Sequence, residues 1–203
     1  MMAVPSRSQQ RAATRERIVE AAAEAFAEKG FRGASTRDIA QRARANQGLI
    51  TYHFRTKDEL WRAAAGHIFG MLRTSLGERL AALESADPRE RAREAIREYV
   101  RFAAAHPALF RLMVEEGKSA DDRMRWLVDT HLKPLYEGFV RFGTSLGDGL
   151  APSLLPHAYY VLAGAASLVF AVAPECRRLT GLDPETQGAI ATHADLVAGM
   201  LVP

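Results

Sequence analysis

The 203-residue sequence holds one cysteine, Cys176. A lone thiol excludes an intramolecular disulfide and any CxxC site, and it fits a reducing cytoplasm. Alternating runs of β-branched residues are nearly absent, so the period-two signal of strands is missing. Glycine and proline gather at the ends of apolar-periodic segments rather than in strand turns. No HExxH, GxSxG, Walker-type or dinucleotide-type glycine loop occurs. The six histidines are scattered, without the spacing of metal ligands. No catalytic group, metal or cofactor is therefore expected. The opening MMAVPSRSQQRAATRER has no apolar core and does not read as a secretory signal. The segment AYYVLAGAASLVFAVA carries no charge, but only 17 residues separate Pro156 from Pro174. A membrane span needs about 20, so a buried helix is expected there. Internal repeats and low-complexity segments are also lacking.

What remains is rich in Ala, Leu, Arg and Glu, is 48% hydrophobic, and reads as an all-α chain with a sizeable core. The net charge of +3 hides an asymmetry. Residues 1–60 hold 11 Lys/Arg against 7 Asp/Glu, and residues 61–203 hold 16 against 17. The positive excess sits where a phosphate-binding end would need it, with a solvated basic face as the plain alternative.

The stretch STRDIAQRARANQGLITYHFRTKDEL, residues 35–60, organises the reading. Ser35 with Asp38 resembles a capping box for a first short helix, and Ile39, Ala40 and Ala43 follow at helical spacing. The chain turns at Arg44-Ala45. Asn46 caps a second helix, in which Ile50 and Phe54 face back to the first. Gln47, Gly48, Thr51, Tyr52 and His53 face outward. Thr56 with Glu59 then caps a third helix. Two short helices, the second polar outside, make a helix-turn-helix whose second helix enters the DNA major groove.

From Phe31 to Leu60 the sequence resembles the TetR family of bacterial transcriptional repressors. Gly30-Phe31, Ser35-Thr36, Ile39-Ala40, Ala43, Gly48, Tyr52-His53-Phe54, Lys57 and Leu60 carry the resemblance, without gaps. Two positions depart from it. Arg44 stands where the family has glycine, a turn position expected to need positive φ, and Thr51 replaces a common tyrosine. The resemblance implies phosphate contacts at Thr36, Tyr52 and Lys57. Gln47 has the amide to read adenine. Arg37 and Arg44 suit phosphate or guanine. Ser35, Gly48, Thr51 and His53 complete the expected DNA-binding set.

Along the chain, residues 1–11 read as a disordered arm; Arg7, Arg11, Arg15 and Arg17 are candidates for backbone phosphates, with a non-contacting tail as the equal alternative. Residues 12–60 read as the DNA-binding domain, opening with a helix over 12–29, and residues 61–203 as a helical effector-binding and dimerisation domain. A long helix from Lys57 to Leu83 joins the two. Asp87-Pro88 opens the next helix, and His106-Pro107 breaks it. ALFRLMVEE forms a short helix. Ser119 with Asp122 caps a helix over 120–146, which Pro134 should kink. After the loop GDGLAPS, a helix covers 153–173, PECRRLTG connects, and Asp183-Pro184 caps the last helix, about nine in all.

The last two long helices are apolar over more of their circumference than one core face needs, so their own domain or a partner must cover them. Gly164, Ala165, Leu168, Gly188, Thr192, Leu196 and Gly199 are the expected interface of a homodimer, which the resemblance also implies. A dimer places two recognition helices on a palindromic operator. By resemblance, the second domain holds a cavity for a small-molecule effector that releases a repressor from DNA. Phe69, Met71, Phe102, Phe110, Met113, Trp126, Thr130, Tyr160 and Phe170 are candidate walls, with Arg111, Asp129 or His131 as polar anchor. Aromatic and Met bulk points to a largely apolar ligand. A DNA-binding dimer without effector, or a helical carrier or enzyme, is the alternative.

Overall fold

Side-chain caps set the helix starts. Ser6, Ser35, Asn46, Thr56, Asp87, Asp121 and Thr186 each accept a hydrogen bond from a backbone amide two or three residues on. This satisfies donors that the first helical turn leaves open. The computed structural model describes residues 6–146 and 151–202, and every regular element among them is helical. The order is α1 (Arg7–Gly33), α2 (Thr36–Arg42), α3 (Gln47–His53), α4 (Lys57–Ala82), α5 (Pro88–Ala105) and α6 (Ala108–Glu116). Then follow α7 (Asp122–Leu127), α8 (Lys133–Thr144), α9 (Leu155–Ala171), α10 (Ala173–Thr180) and α11 (Gln187–Leu201).

Several boundaries differ from those expected. α1 begins at Arg7, because Ser6 and Gln9 cap each other reciprocally; the arm is thus helical from Arg7 on, and residues 1–5 lie outside the described residues. Asp121, not Ser119, caps α7. Pro134 does not simply kink the 120–146 helix. The turn before it, Val128–Leu132, widens to a π turn closed by the Lys133 amide on the Val128 carbonyl. A wider turn accommodates the ring and the missing donor of proline. The segment read as a connector is α10, with Pro174 in its first turn and Gly181 at φ +75° ending it. Asp183 accepts from the Glu185 amide, and Thr186 caps α11. Residues 147–150 of the expected loop lie outside the described residues. Helical structure begins before Pro156, so the run Pro152–Ala171 has 20 residues and is long and apolar enough to cross a membrane. The length argument against a span therefore fails. Ala163, Ala166, Ser167 and Phe170 bury one side of α9 in protein.

Two apolar cores result. The first runs from Ile18, Ala22, Ala25 and Phe26 of α1 through Ile39, Ile50 and Phe54 to Leu60, Trp61, Ile68 and Phe69 of α4, and on to Leu109, Leu112 and Leu127. The alanines of α1 let α6 and α4 approach closely. The second core joins Ala92, Ile96, Val100 and Ala103 of α5 to Phe170 of α9 and Val197 of α11.

On the outer side of α5, Glu94 accepts from Arg79 of α4 and Arg97, and Arg97 reaches Asp195 of α11 at 2.7 Å. Burial opposes ionisation of Glu94, but its two arginines outweigh that and hold its carboxyl below the ordinary 4.5. Its stabilisation is therefore present above that value and lost as pH falls through the lower folded value. Glu94→Gln should lower the unfolding free energy by about 1–3 kcal/mol near neutral pH, with a difference that shrinks near pH 3 as the parent protonates. Urea melts at the two pH values check both limbs, and equal midpoints at neutral pH refute the role.

Arg44 has φ +50°, the one non-glycine with positive φ among the described residues. It closes α2 by donating to the Gln41 carbonyl at 3.1 Å, while the Ala45 amide bonds Ala40 at 2.9 Å. This is the paired C-terminal closure usually given to glycine. Left-handed backbone costs a residue with Cβ about 1–2 kcal/mol. Arg44→Gly should thus stabilise the chain by about 1 kcal/mol, a rise of about 2–4 °C in Tm for a chain this size; a fall in Tm by calorimetry would contradict the strain.

Candidate nucleic-acid interface

α3 lies against α1 and α2 through Ile50 and the following Phe54, each 3% exposed. This fixes which face looks outward. Gln47, Gly48, Thr51 and Tyr52 are exposed there, with Tyr52 at 63%. Gln47 donates from Nε2 to Thr36 Oγ1 at 3.3 Å, so the first residues of α2 and α3 hold each other. A Cβ on Gly48 would stand 3.3 Å from the Asn46 oxygen that caps α3, so glycine there also protects the cap. Ser35 Oγ is occupied as acceptor from the Asp38 amide at 3.1 Å, leaving its hydroxyl hydrogen for a phosphate.

The charges sort by position. Behind the motif, Lys29 pairs with Asp38 and Arg42 with Glu28 and Asp38, tying α2 to α1. These pairs hold both carboxyls below their usual range, through the Arg42 hydrogen bond to Glu28 and that of Lys29 to Asp38. Asp38 is thus engaged away from the Ser35 amide, and only one limb of the expected capping box forms. In front, Arg37 and Arg44 are exposed and make no ion pair among the described residues. The same holds for Arg55, whose backbone amide bonds Glu59.

Lys57 is half-buried. Its ammonium sits 4.9 Å from the Phe31 ring centroid and 3.4 Å from the Arg32 carbonyl. Burial, with Arg123 adding, lowers its pKa. Arg123 of α7 lies over the same ring at 3.9 Å and pairs with Glu116 and Asp121. His53 lies between Tyr52 and Phe54. Burial first, then Arg11 and Arg15, push its pKa down, so at neutral pH it offers a neutral imidazole rather than a cation.

The helical start of α1 brings Arg7 and Arg11, expected in a disordered arm, into one face with Thr14 and Arg15. The Arg11 guanidinium stacks over Tyr52 at 5.2 Å and that of Arg15 over Phe54 at 5.2 Å. Arg7, Arg11 and Thr14 face Leu49, Tyr52 and His53 across an open cleft of about 500 Å³. The sequence signal for this early helix start is the S-x-x-Q capping pair Ser6 and Gln9.

The candidate effector residues do not line one cavity. Phe69 and Trp126 enclose His131, which is buried. Met71 and Phe102 line an open groove between α4 and α5, with His67 and His106. Phe110 and Met113 are half-buried, Met113 against the first core. Arg111 is engaged in two hydrogen bonds to the Ala171 carbonyl, at 3.0 and 2.8 Å. Thr130 and Asp129 are exposed, Phe170 belongs to the second core, and Tyr160 is 76% exposed on an outer face. The phase of α9, which buries Ala163, Ala166, Ser167 and Phe170, turns Tyr160 outward. Leu168 and Leu196 are 53% and 58% exposed on α9 and α11, and Met200 is exposed too. Gly188, Thr192, Gly199 and Ala165 are exposed and Gly164 half-buried.

Residues 18–64 match the family model of bacterial regulatory proteins of the tetR family. The chain is 29% identical over 111 residues to the transcriptional repressor NicS of Pseudomonas putida, covering 55% of this chain and 51% of NicS. It is 44% identical over 75 residues to the transcriptional repressor Rv3405c of Mycobacterium tuberculosis, covering 37% of this chain and 38% of that protein. The matches thus span about half or less of these relatives' length. Among solved structures, AibR in complex with isovaleryl coenzyme A and operator DNA superposes with a TM-score of 0.72 at 17% identity, over 94% of this chain and 98% of AibR. That likeness is one of fold. Together with the observed helix-turn-helix, the matches support the TetR family of bacterial regulatory proteins, the family model covering residues 18–64.

Proposed function

We propose that this chain is a sequence-specific DNA-binding transcriptional regulator, a repressor that binds a palindromic operator as a homodimer and is released by a small-molecule effector. The carrying observation is the division of charge around α3: the cations behind it are paired, and Arg37, Arg44 and Arg55 at its front make no ion pair among the described residues. Unpaired arginines beside an exposed, hydrogen-bonding helix face suit a phosphate backbone flanking a read groove. Ser35, Thr36, Arg37, Arg44 and Tyr52 position the helix, with Lys57 at its rim. Gln47, Gly48 and Thr51 meet base edges, and His53 donates as a neutral ring. The match of residues 18–64 to the tetR family model, repressors among the relatives and a neighbour solved with both an effector and operator DNA support the reading.

For the dimer, the support is the apolar outer side of α9 and α11. Tyr160, Val161, Leu168, Leu196 and Met200 are exposed on one chain, and small residues between them allow close helix approach. A second copy is the occupant that a palindrome requires.

Selection of random duplex DNA on the purified protein should yield a palindrome, bound far more tightly than random DNA at two salt concentrations. No enrichment, with weak and steeply salt-dependent binding, would leave only a basic face. On the selected site, Lys57→Ala should weaken binding to all sequences and reduce the salt slope by about one. Gln47→Ala should relax preference at one base pair per half-site; a uniform loss would make Gln47 a positioning residue. Leu168→Glu should give monomers by light scattering that bind half-sites only, and an unchanged dimer would remove α9 from the interface.

A further inference from the structure

Two imidazoles line one end of the groove between α4 and α5, and a third, that of His131, lies buried behind the glycine that floors it. His67 and His106 line it beside Gly66, and a Cβ on Gly66 would lie 4.0 Å from Nε2 of His131. His131 is 5% exposed. Its ring lies flat on Phe69, centroids 4.9 Å apart and planes 6° from parallel, and meets Trp126 edge-on at 5.0 Å. Arg73 approaches Nδ1 at 3.2 Å. Arginine can only donate, so Nδ1 accepts and the ring hydrogen sits on Nε2. Burial, with Arg73 adding, keeps the ring in this neutral form. Nε2 is buried and meets no acceptor among the described residues. An unsatisfied buried donor costs about 1–3 kcal/mol, which an acceptor from outside the chain recovers.

The backbone supports the arrangement. His131 belongs to the π turn before Pro134, and such turns recur at binding sites. Gly66 and Gly70 put no side chain between the groove and the ring. The groove continues along α4 past Met71 to Glu78, twelve residues or about 18 Å. Its two ends differ in charge. Imidazoles and the Arg73 cation stand near Gly66, whereas Glu78 and Glu98, the latter bonded by Ser75, stand at the other. An anionic head is therefore favoured at the Gly66 end and repelled at the far one.

We propose that this groove binds a medium-chain aliphatic carboxylate, its head accepting from Nε2 of His131 beside Gly66 and its tail lying along Met71 and Phe102. This names the effector class of the regulator, and rests on that reading only for its consequence on DNA.

Decanoate, titrated into the full chain and followed by equilibrium dialysis and tryptophan fluorescence, should saturate at one site per chain. Methyl decanoate should bind more weakly, and decylamine not at all. His131→Ala should weaken decanoate about tenfold or more. Gly66→Ala should do the same while favouring the helix, since its methyl covers Nε2 and meets nothing else; a folding defect cannot account for that loss. Absent saturation, equal binding of the ester or the amine, or an unchanged affinity in Gly66→Ala overturns the site. Decanoate that binds yet leaves selected operator DNA bound keeps the site and overturns its effector role. A protein that binds decanoate but selects no DNA overturns the regulator reading instead.

Discussion

One apolar core holds the helix-turn-helix and the helices behind it in a single body. Phe26 of α1, Trp61 and Phe69 of α4 and Leu112 of α6 are all buried within it. Interiors packed at this density resist compression and pass displacement on. α2 and α3 are held to α1 by Ile39, Ile50 and Phe54 and by the Arg42–Glu28 and Lys29–Asp38 pairs. A hinge between the DNA-reading unit and the rest would have to open this core. Motion reaching α3 is therefore motion of α4 and α6 against α1, a sliding of packed helices rather than a swing about a linker.

The contact between α7 and the helix-turn-helix places two cations on one ring. Arg123 and Lys57 share the face of Phe31. Arg123 is neutralised by Glu116 and Asp121, while no carboxylate pairs with Lys57 among the described residues. Lys57 therefore has no counter-ion there, partly desolvated and held by a carbonyl and a ring. A phosphate oxygen offers that ammonium a better partner than either.

The helix-turn-helix was legible because short-range rules govern it. Caps at Ser35, Asn46 and Thr56, the i, i+4 pair Ile50 and Phe54, and the turn at Arg44 are all set within a few residues. The positive φ at Arg44 followed from an expected glycine. Other features were hidden because distant contacts decide them. The π turn needs both Pro134 and the room that Phe69 and Trp126 leave for His131. The early start of α1 rests on a reciprocal Ser6–Gln9 cap that composition cannot distinguish from a polar arm. Tyr160 reads as a cavity wall by residue type, but the phase of α9 decides which way it faces. The apolar effector candidates share only bulk, which marks core as readily as pocket, and the candidate anchors Arg111, Asp129 and His131 share only polarity. What singles out His131 is an unmatched donor, visible only once its neighbours are in place.

α4 carries Lys57 in its first turn and Gly66 and Gly70 two to four turns later, within one unbroken helix. A head group beside Gly66 sits about 14 Å along that helix from Lys57. The first core buries Leu60, Trp61, Ala64 and Ala65 between them. A ligand that tightens His131 against α4 favours one seating of α4 on α1, and operator DNA favours another if the two seatings space the recognition helices differently. Linkage then fixes the energetics without reference to a path. Whatever factor the ligand takes from operator affinity, the operator takes from ligand affinity. A ligand that met α4 identically in both seatings would release nothing, however tightly it bound. The unmatched donor matters for this reason: its satisfaction depends on how closely α4 and the π turn approach, so it gives a bound acceptor different energies in the two arrangements.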